Sequence, residues 1–126
     1  MKIKFISPKS IERNIKASVH KSGKMGFTIE AADKLLLSIQ KSMSIGINED
    51  DKTDRNLYVI INKNRQDDAF PILKAGAYYY VNTKDFFKSL NWDYDKNSIS
   101  FDIVEENIDD MQVFMFKLAE KERAKK

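Results

Sequence analysis

The chain has no cysteine, one histidine (His20), two prolines and four glycines. Without cysteine there is no disulfide, no thiol nucleophile and no thiolate metal site, and one histidine cannot build a multi-histidine zinc centre. The glycines, Gly23, Gly26, Gly46 and Gly76, form neither a G-x-G-x-x-G fingerprint nor a Walker-type run, so no cofactor phosphate loop is present. No apolar run approaches the ~20 residues that cross a bilayer, and Met1 to Pro8 lacks the apolar stretch of a signal peptide. These absences lead to the expectation of a cytoplasmic, non-enzymatic protein without cofactor, metal or membrane partner.

What is present is a globular composition, 42 % hydrophobic and 33 % charged, in 126 residues, which fits one domain over 1–126. The net charge of +3 is small but unevenly placed. Between Met1 and Lys24 seven basic residues face Glu12 alone, and everything after Lys24 is slightly acidic. A basic end on an acidic body is the layout expected when one face meets a phosphate backbone; lysines also serve simply to solvate a terminus.

An internal repeat organises the chain. Lys21-Ser22-Gly23-Lys24-Met25-Gly26-Phe27-Thr28 aligns with Lys74-Ala75-Gly76-Ala77-Tyr78-Tyr79-Tyr80-Val81. Ahead of the first glycine, Ile15 to His20 alternates apolar and polar as a half-buried strand should; ahead of the second runs Ala69 to Lys74. Each glycine marks a tight turn into a second short strand. Helical signals follow. Thr28 precedes one segment and Asn82-Thr83 the other, Glu30 and Asp85 suit the positive end of the helix dipole, and Ala32, Leu35, Leu36 and Phe86, Phe87, Leu90 supply one apolar stripe each. Strand pairs then close each half, Met43–Ile47 with Leu57–Ile61 and Ile99–Ile103 with Val113–Phe116, joined by acidic loops at Glu49–Asn56 and Glu105–Asp110. Ile108, Met111, Met115 and Leu118 also fit a helical face, so residues 108–120 read as strand or helix; the favoured reading is a strand running into a helical or frayed tail over 121–126.

The fold class is therefore mainly β (α+β): two tandem strand-strand-helix-strand-strand units, repeats 12–64 and 68–120, around one shared core. At about 50 residues neither half buries enough apolar surface to be secure alone.

The stretch Ser22-Gly23-Lys24-Met25-Gly26-Phe27-Thr28, a helix ending in Leu35-Leu36-Leu37 and the strand around Met43 to Ile47 resemble the swapped-hairpin domain of the AbrB and MazE families of bacterial transition-state regulators and antitoxins. The resemblance covers Ile15 to Ile61 and, more faintly, Ala69 to Leu118. It implies a small barrel of two interlocked units, here supplied by one chain as a pseudo-dimer, and a transcription regulator that binds duplex DNA through basic residues of the first hairpin. By position only Lys24 carries over. Family members turn into the helix through a proline where this chain has Thr28-Ile29, end it in Leu-Gly where this chain has Leu36-Leu37, and Ala77 replaces the lysine in the second half.

The candidate nucleic-acid-binding residues are Arg13, Lys16, Lys21 and Lys24, with His20 beside them and Lys9 extending the track; strand-edge lysines also serve to prevent sheet-to-sheet aggregation. Tyr79 is a further candidate. Alternation sends it to the face opposite Tyr78 and Tyr80, where an exposed ring could stack unpaired bases. The cluster Glu49, Asp50, Asp51 and Asp54 lacks the glycine and distal glutamate of a calcium loop. Asp93 and Asp95 read as turn residues bonding their own backbone. Duplex DNA binding through the first hairpin thus leads. The alternatives are an antitoxin-like protein-interaction module, with a protein partner or homo-oligomer, and a single-stranded nucleic-acid binder.

Overall fold

Gly23 and Gly76 both hold positive φ, 89° and 61°, and turn two hairpins at the predicted places. The computed structural model describes residues 1–3, 15–108 and 111–122. Its elements run β1 Lys16–Val19, β2 Lys24–Phe27, α1 Ile29–Leu35, β3 Ser42–Gly46, β4 Leu57–Asn62, β5 Phe70–Pro71, β6 Leu73–Ala75, β7 Tyr78–Asn82, α2 Lys84–Ser89, β8 Asn97–Ile108 and β9 Met111–Glu122. The protein is mainly β.

The nine strands of the described residues join one antiparallel sheet in the order β5-β3-β4-β9-β8-β1-β2-β7-β6. The two edge strands, β5 and β6, are separated in sequence by Ile72 alone, two Cα steps of about 3.8 Å each. The sheet must therefore curl until its edges nearly meet, and it forms a nearly closed barrel. Ile72 is fully buried at this seam and donates its N–H to the Lys41 carbonyl at 3.3 Å.

Strand alternation decides what fills the barrel. Ala17 and Val19 of β1, Met25 and Phe27 of β2, Val81 of β7, Ile99, Phe101 and Ile103 of β8, and Phe114 and Phe116 of β9 point inward and form one buried cluster with Leu35, Leu57 and Phe87. Phe87 carries α2 into this core, stacked on Trp92 and Phe101 at centroid distances of 5.4 and 6.4 Å.

The helices start and stop by local chemistry. Thr28 caps α1, its Oγ1 accepting from the Ala31 N–H at 3.2 Å. Thr83 makes no such cap; it is buried, and its hydroxyl donates to the Gly23 carbonyl at 2.8 Å, tying α2 to the first hairpin. Each helix ends in a left-handed residue, Leu36 (φ 53°) and Asn91 (φ 58°). The N–H after each bonds back five residues, Leu37 to Ala32 and Trp92 to Phe87, both at 3.0 Å.

Four expectations are corrected. Leu36 lies outside the helical stripe, turned outward and 71 % exposed, because its left-handed backbone reverses the chain there. The strand expected over Ala69–Lys74 is broken at Ile72: β5 pairs with β3 and β6 with β7, and Pro71, lacking an N–H, sits at the break. Glu105 to Ile108 belong to β8 rather than to an acidic loop, since β8 and β9 pair in register from Asn97↔Glu122 to Ile108↔Met111. The same register keeps residues 121 and 122 in strand β9, not in a tail.

Candidate nucleic-acid interface

Pairing across β1, β2 and β7 lays the outward residues in rows. Ser18 pairs with Gly26 and Gly26 with Tyr80; Lys24 pairs with Asn82, and Tyr78 with Ala75. Ser18, Gly26 and Ala75 have little or no side chain, so a hollow opens between taller neighbours. The result is a groove of about 510 Å³ bounded by His20, Lys24, Tyr78 and Tyr80, within the ~300–1,000 Å³ usual for small-ligand sites. Among the described residues none that lines it is acidic.

The groove's walls are held by close local fits. The His20 ring lies over Gly26, where an added Cβ would come within 2.8 Å of Nε2. Lys24 Nζ stands over the Tyr80 ring, 5.0 Å from its centroid, a cation–π geometry. Tyr78 is 60 % exposed. At the hairpin turn, Gly23 approaches Lys84 so closely that a Cβ there would lie 2.7 Å from the lysine Cα. Lys84 thus joins Lys21 and Lys24 at one end of the sheet.

The sequence candidates distribute unequally over this surface. Lys21 and Lys24 are exposed on the first hairpin. Lys16 is on the same outer face but pairs with Asp102, directly opposite on β8, at 3.8 Å. Arg13 and Lys9 lie outside the described residues. Tyr79 shares its side of β7 with buried Val81 and is half-buried: it packs against the core and also lines the groove, with Lys74 Nζ 5.2 Å from its ring centroid. On the opposite side of β7 Tyr78 is exposed and Tyr80 half-buried. The count of tyrosines gave the alternation but not its phase, which Val81 sets by being the residue the core requires.

A second cleft separates the Glu49–Asn56 loop from the end of α2. Its aromatic residue is engaged by its neighbours: Trp92 stacks on Phe87, and the Arg55 guanidinium lies over its ring, 4.7 Å from the centroid. Two acidic residues of the loop, Asp51 and Asp54, are engaged locally. Asp51 accepts from the Thr53 N–H and hydroxyl, and Asp54 accepts from Asn48, from the Asn56 N–H and, at 2.5 Å, from the Tyr58 hydroxyl. That phenol is the main reason the Asp54 carboxyl sits below its ordinary range, and Asp54 in turn pushes the Tyr58 phenol up. Among the described residues no three His, Asp or Glu side chains converge on a point that would hold a metal. Asp93 closes its turn as predicted, accepting from the N–H groups of Asp95 and Lys96. No described helix is long and apolar enough to cross a membrane.

No protein-family model, no curated protein and no solved structure matches the chain.

Proposed function

We propose that this chain is a non-enzymatic nucleic-acid-binding protein that presents the outer face of its first hairpin to a phosphate backbone, on a barrel of two tandem units with exchanged hairpins. The duplication reading is supported by strand pairing. Hairpin β3-β4 has only second-unit strands, β5 and β9, as outside neighbours, and β8-β9 lies between β1 and β4 of the first. Taken together, β5 and β6 stand in the second unit where β1 stands in the first. The glycine turns and helix ends repeat in the same order.

The binding reading rests on one observation above all: Lys24 projects from the outer face beside a groove in whose lining, among the described residues, there is no carboxylate. Lys21 and Lys84 extend the positive charge along that end, and phosphate contacts of this kind provide sequence-independent affinity that falls steeply with salt. The paired Lys16 contributes less, because the Asp102 carboxylate 3.8 Å away competes with a phosphate for it.

The test is fluorescence anisotropy with random-sequence duplex and single-stranded oligonucleotides between about 50 and 200 mM salt. Binding is expected to weaken with salt, and Lys21→Glu and Lys24→Glu to weaken it further, with Lys16→Glu having the smaller effect. Absence of binding to either strand form at the lower salt overturns the reading and leaves a protein-interaction role, through the same face, as the alternative.

A further inference from the structure

We infer that the groove between His20, Tyr78 and Tyr80 is a subsite for one unpaired nucleobase, so that the protein's ligand is single-stranded rather than duplex nucleic acid. This rests on the nucleic-acid reading above and specifies it. The groove offers ring faces, Tyr78 and Tyr80, across a floor of Ser18, Gly26 and Ala75, with His20 at one end. A base within a duplex has both faces covered by its neighbours and shows only its edges. A groove lined by the rings of exposed Tyr78 and half-buried Tyr80 is matched by a base free of its stack.

Charge identifies the rest of the ligand. The cation at the groove, Lys24, stands over the very ring face of Tyr80 that a base would occupy. An entering base takes that face and releases the ammonium toward the phosphate attached to the same nucleotide. A neutral aromatic ligand would displace Lys24 without giving it a new partner, and a carboxylate-bearing peptide would leave the ring faces unused. Nucleotides supply both groups at the required separation of one sugar. Gly26 gives the His20 ring room to lie close against the sheet at one end of the groove, since a Cβ at 26 would stand 2.8 Å from Nε2.

The experiment compares, with the full chain at about 50 mM salt, an oligothymidylate, an abasic oligomer of the same length and a duplex of that length. The expected order is oligothymidylate tightest, with the abasic strand and the duplex about 5- to 150-fold weaker, the range that removal of one base–aromatic stack spans. Tyr78→Ala and Tyr80→Leu are expected to weaken the oligothymidylate and leave the abasic strand unchanged, whereas Lys24→Gln weakens both. Tyr78 is largely exposed, so its variant keeps the test independent of folding; unfolding midpoints of all variants are measured alongside. Equal binding of abasic and base-bearing strands overturns the subsite and leaves the lysine contacts standing. Tighter duplex binding likewise overturns it. No binding of any of the three overturns both the subsite and the nucleic-acid reading.

Discussion

The His20 imidazole occupies the space that a side chain at position 26 would need, its Nε2 2.8 Å from where a Gly26 Cβ would stand. Gly26 is not held at positive φ, so alanine suits its backbone and would ordinarily stabilise by about 0.4–1 kcal/mol through the unfolded chain. In the wild-type background that gain is expected to be offset, because the ring must swing aside. In a His20→Ala background it should appear in full. A double-mutant cycle from urea unfolding measures the coupling, and identical effects of Gly26→Ala in both backgrounds would contradict the contact.

The two hairpin glycines are equivalent in sequence and unequal in space. Gly76, at φ 61°, has nothing within 4 Å of a built Cβ, so Gly76→Ala costs only the left-handed backbone penalty of about 1–2 kcal/mol. Gly23, at φ 89°, faces the backbone of Lys84 at 2.7 Å, which cannot rotate away. Gly23→Ala is therefore expected to be the more destabilising, and to disturb the Thr83 hydroxyl bond to the Gly23 carbonyl as well. Comparison of the two unfolding midpoints decides; equal losses would place the strain in the turn alone.

Leu36 is an exposed, left-handed leucine at the position where a helix usually ends in glycine. Left-handed backbone costs a side-chain-bearing residue about 1–2 kcal/mol, and at 71 % exposure little burial is lost on removing the side chain. Leu36→Gly is expected to raise stability by about 0.5–1 kcal/mol after the extra unfolded-state entropy of glycine is subtracted. Asn91→Gly, at the matching end of α2, should gain less, because asparagine tolerates this conformation. Destabilisation by Leu36→Gly would mean the leucine makes a contact worth more than its strain.

The hairpins, both helices and the buried face of most strands were legible because they depend on local signals: glycine turns, a Thr28 cap and alternation with period two. The break at Ile72 was not, because it follows from closure of the sheet, which places residues 70–71 and 73–75 on opposite edges. Leu36 was read as part of an apolar stripe since helical spacing does not reveal where the backbone turns left-handed. The lysines of the hairpin were visible as charge, but Asp102 opposite Lys16 is 86 residues away in sequence and enters only through the β1–β8 pairing. The groove itself had a faint signal: small residues at 18, 26 and 75 become a hollow only once three strands are set side by side.

The Asp54–Tyr58 pair predicts a defined pH dependence. Asp54 has a lowered folded-state pKa, so the stability it contributes is present above its unfolded value of about 3.9 and is lost as pH falls through the folded value. Tyr58 has a raised one, so its contribution is present below about 10 and is lost as pH rises through the folded value. Replacing Tyr58 by phenylalanine removes the largest cause of the Asp54 shift and the phenol together. The wild type's advantage over Tyr58→Phe should therefore be a plateau near neutrality that shrinks toward both extremes. Urea midpoints of the two proteins measured across that range, with the Asp54 carboxyl followed by NMR titration, provide the check. A stability difference that stays constant with pH would show that the substitution acts through packing of the ring and that the hydrogen bond contributes nothing.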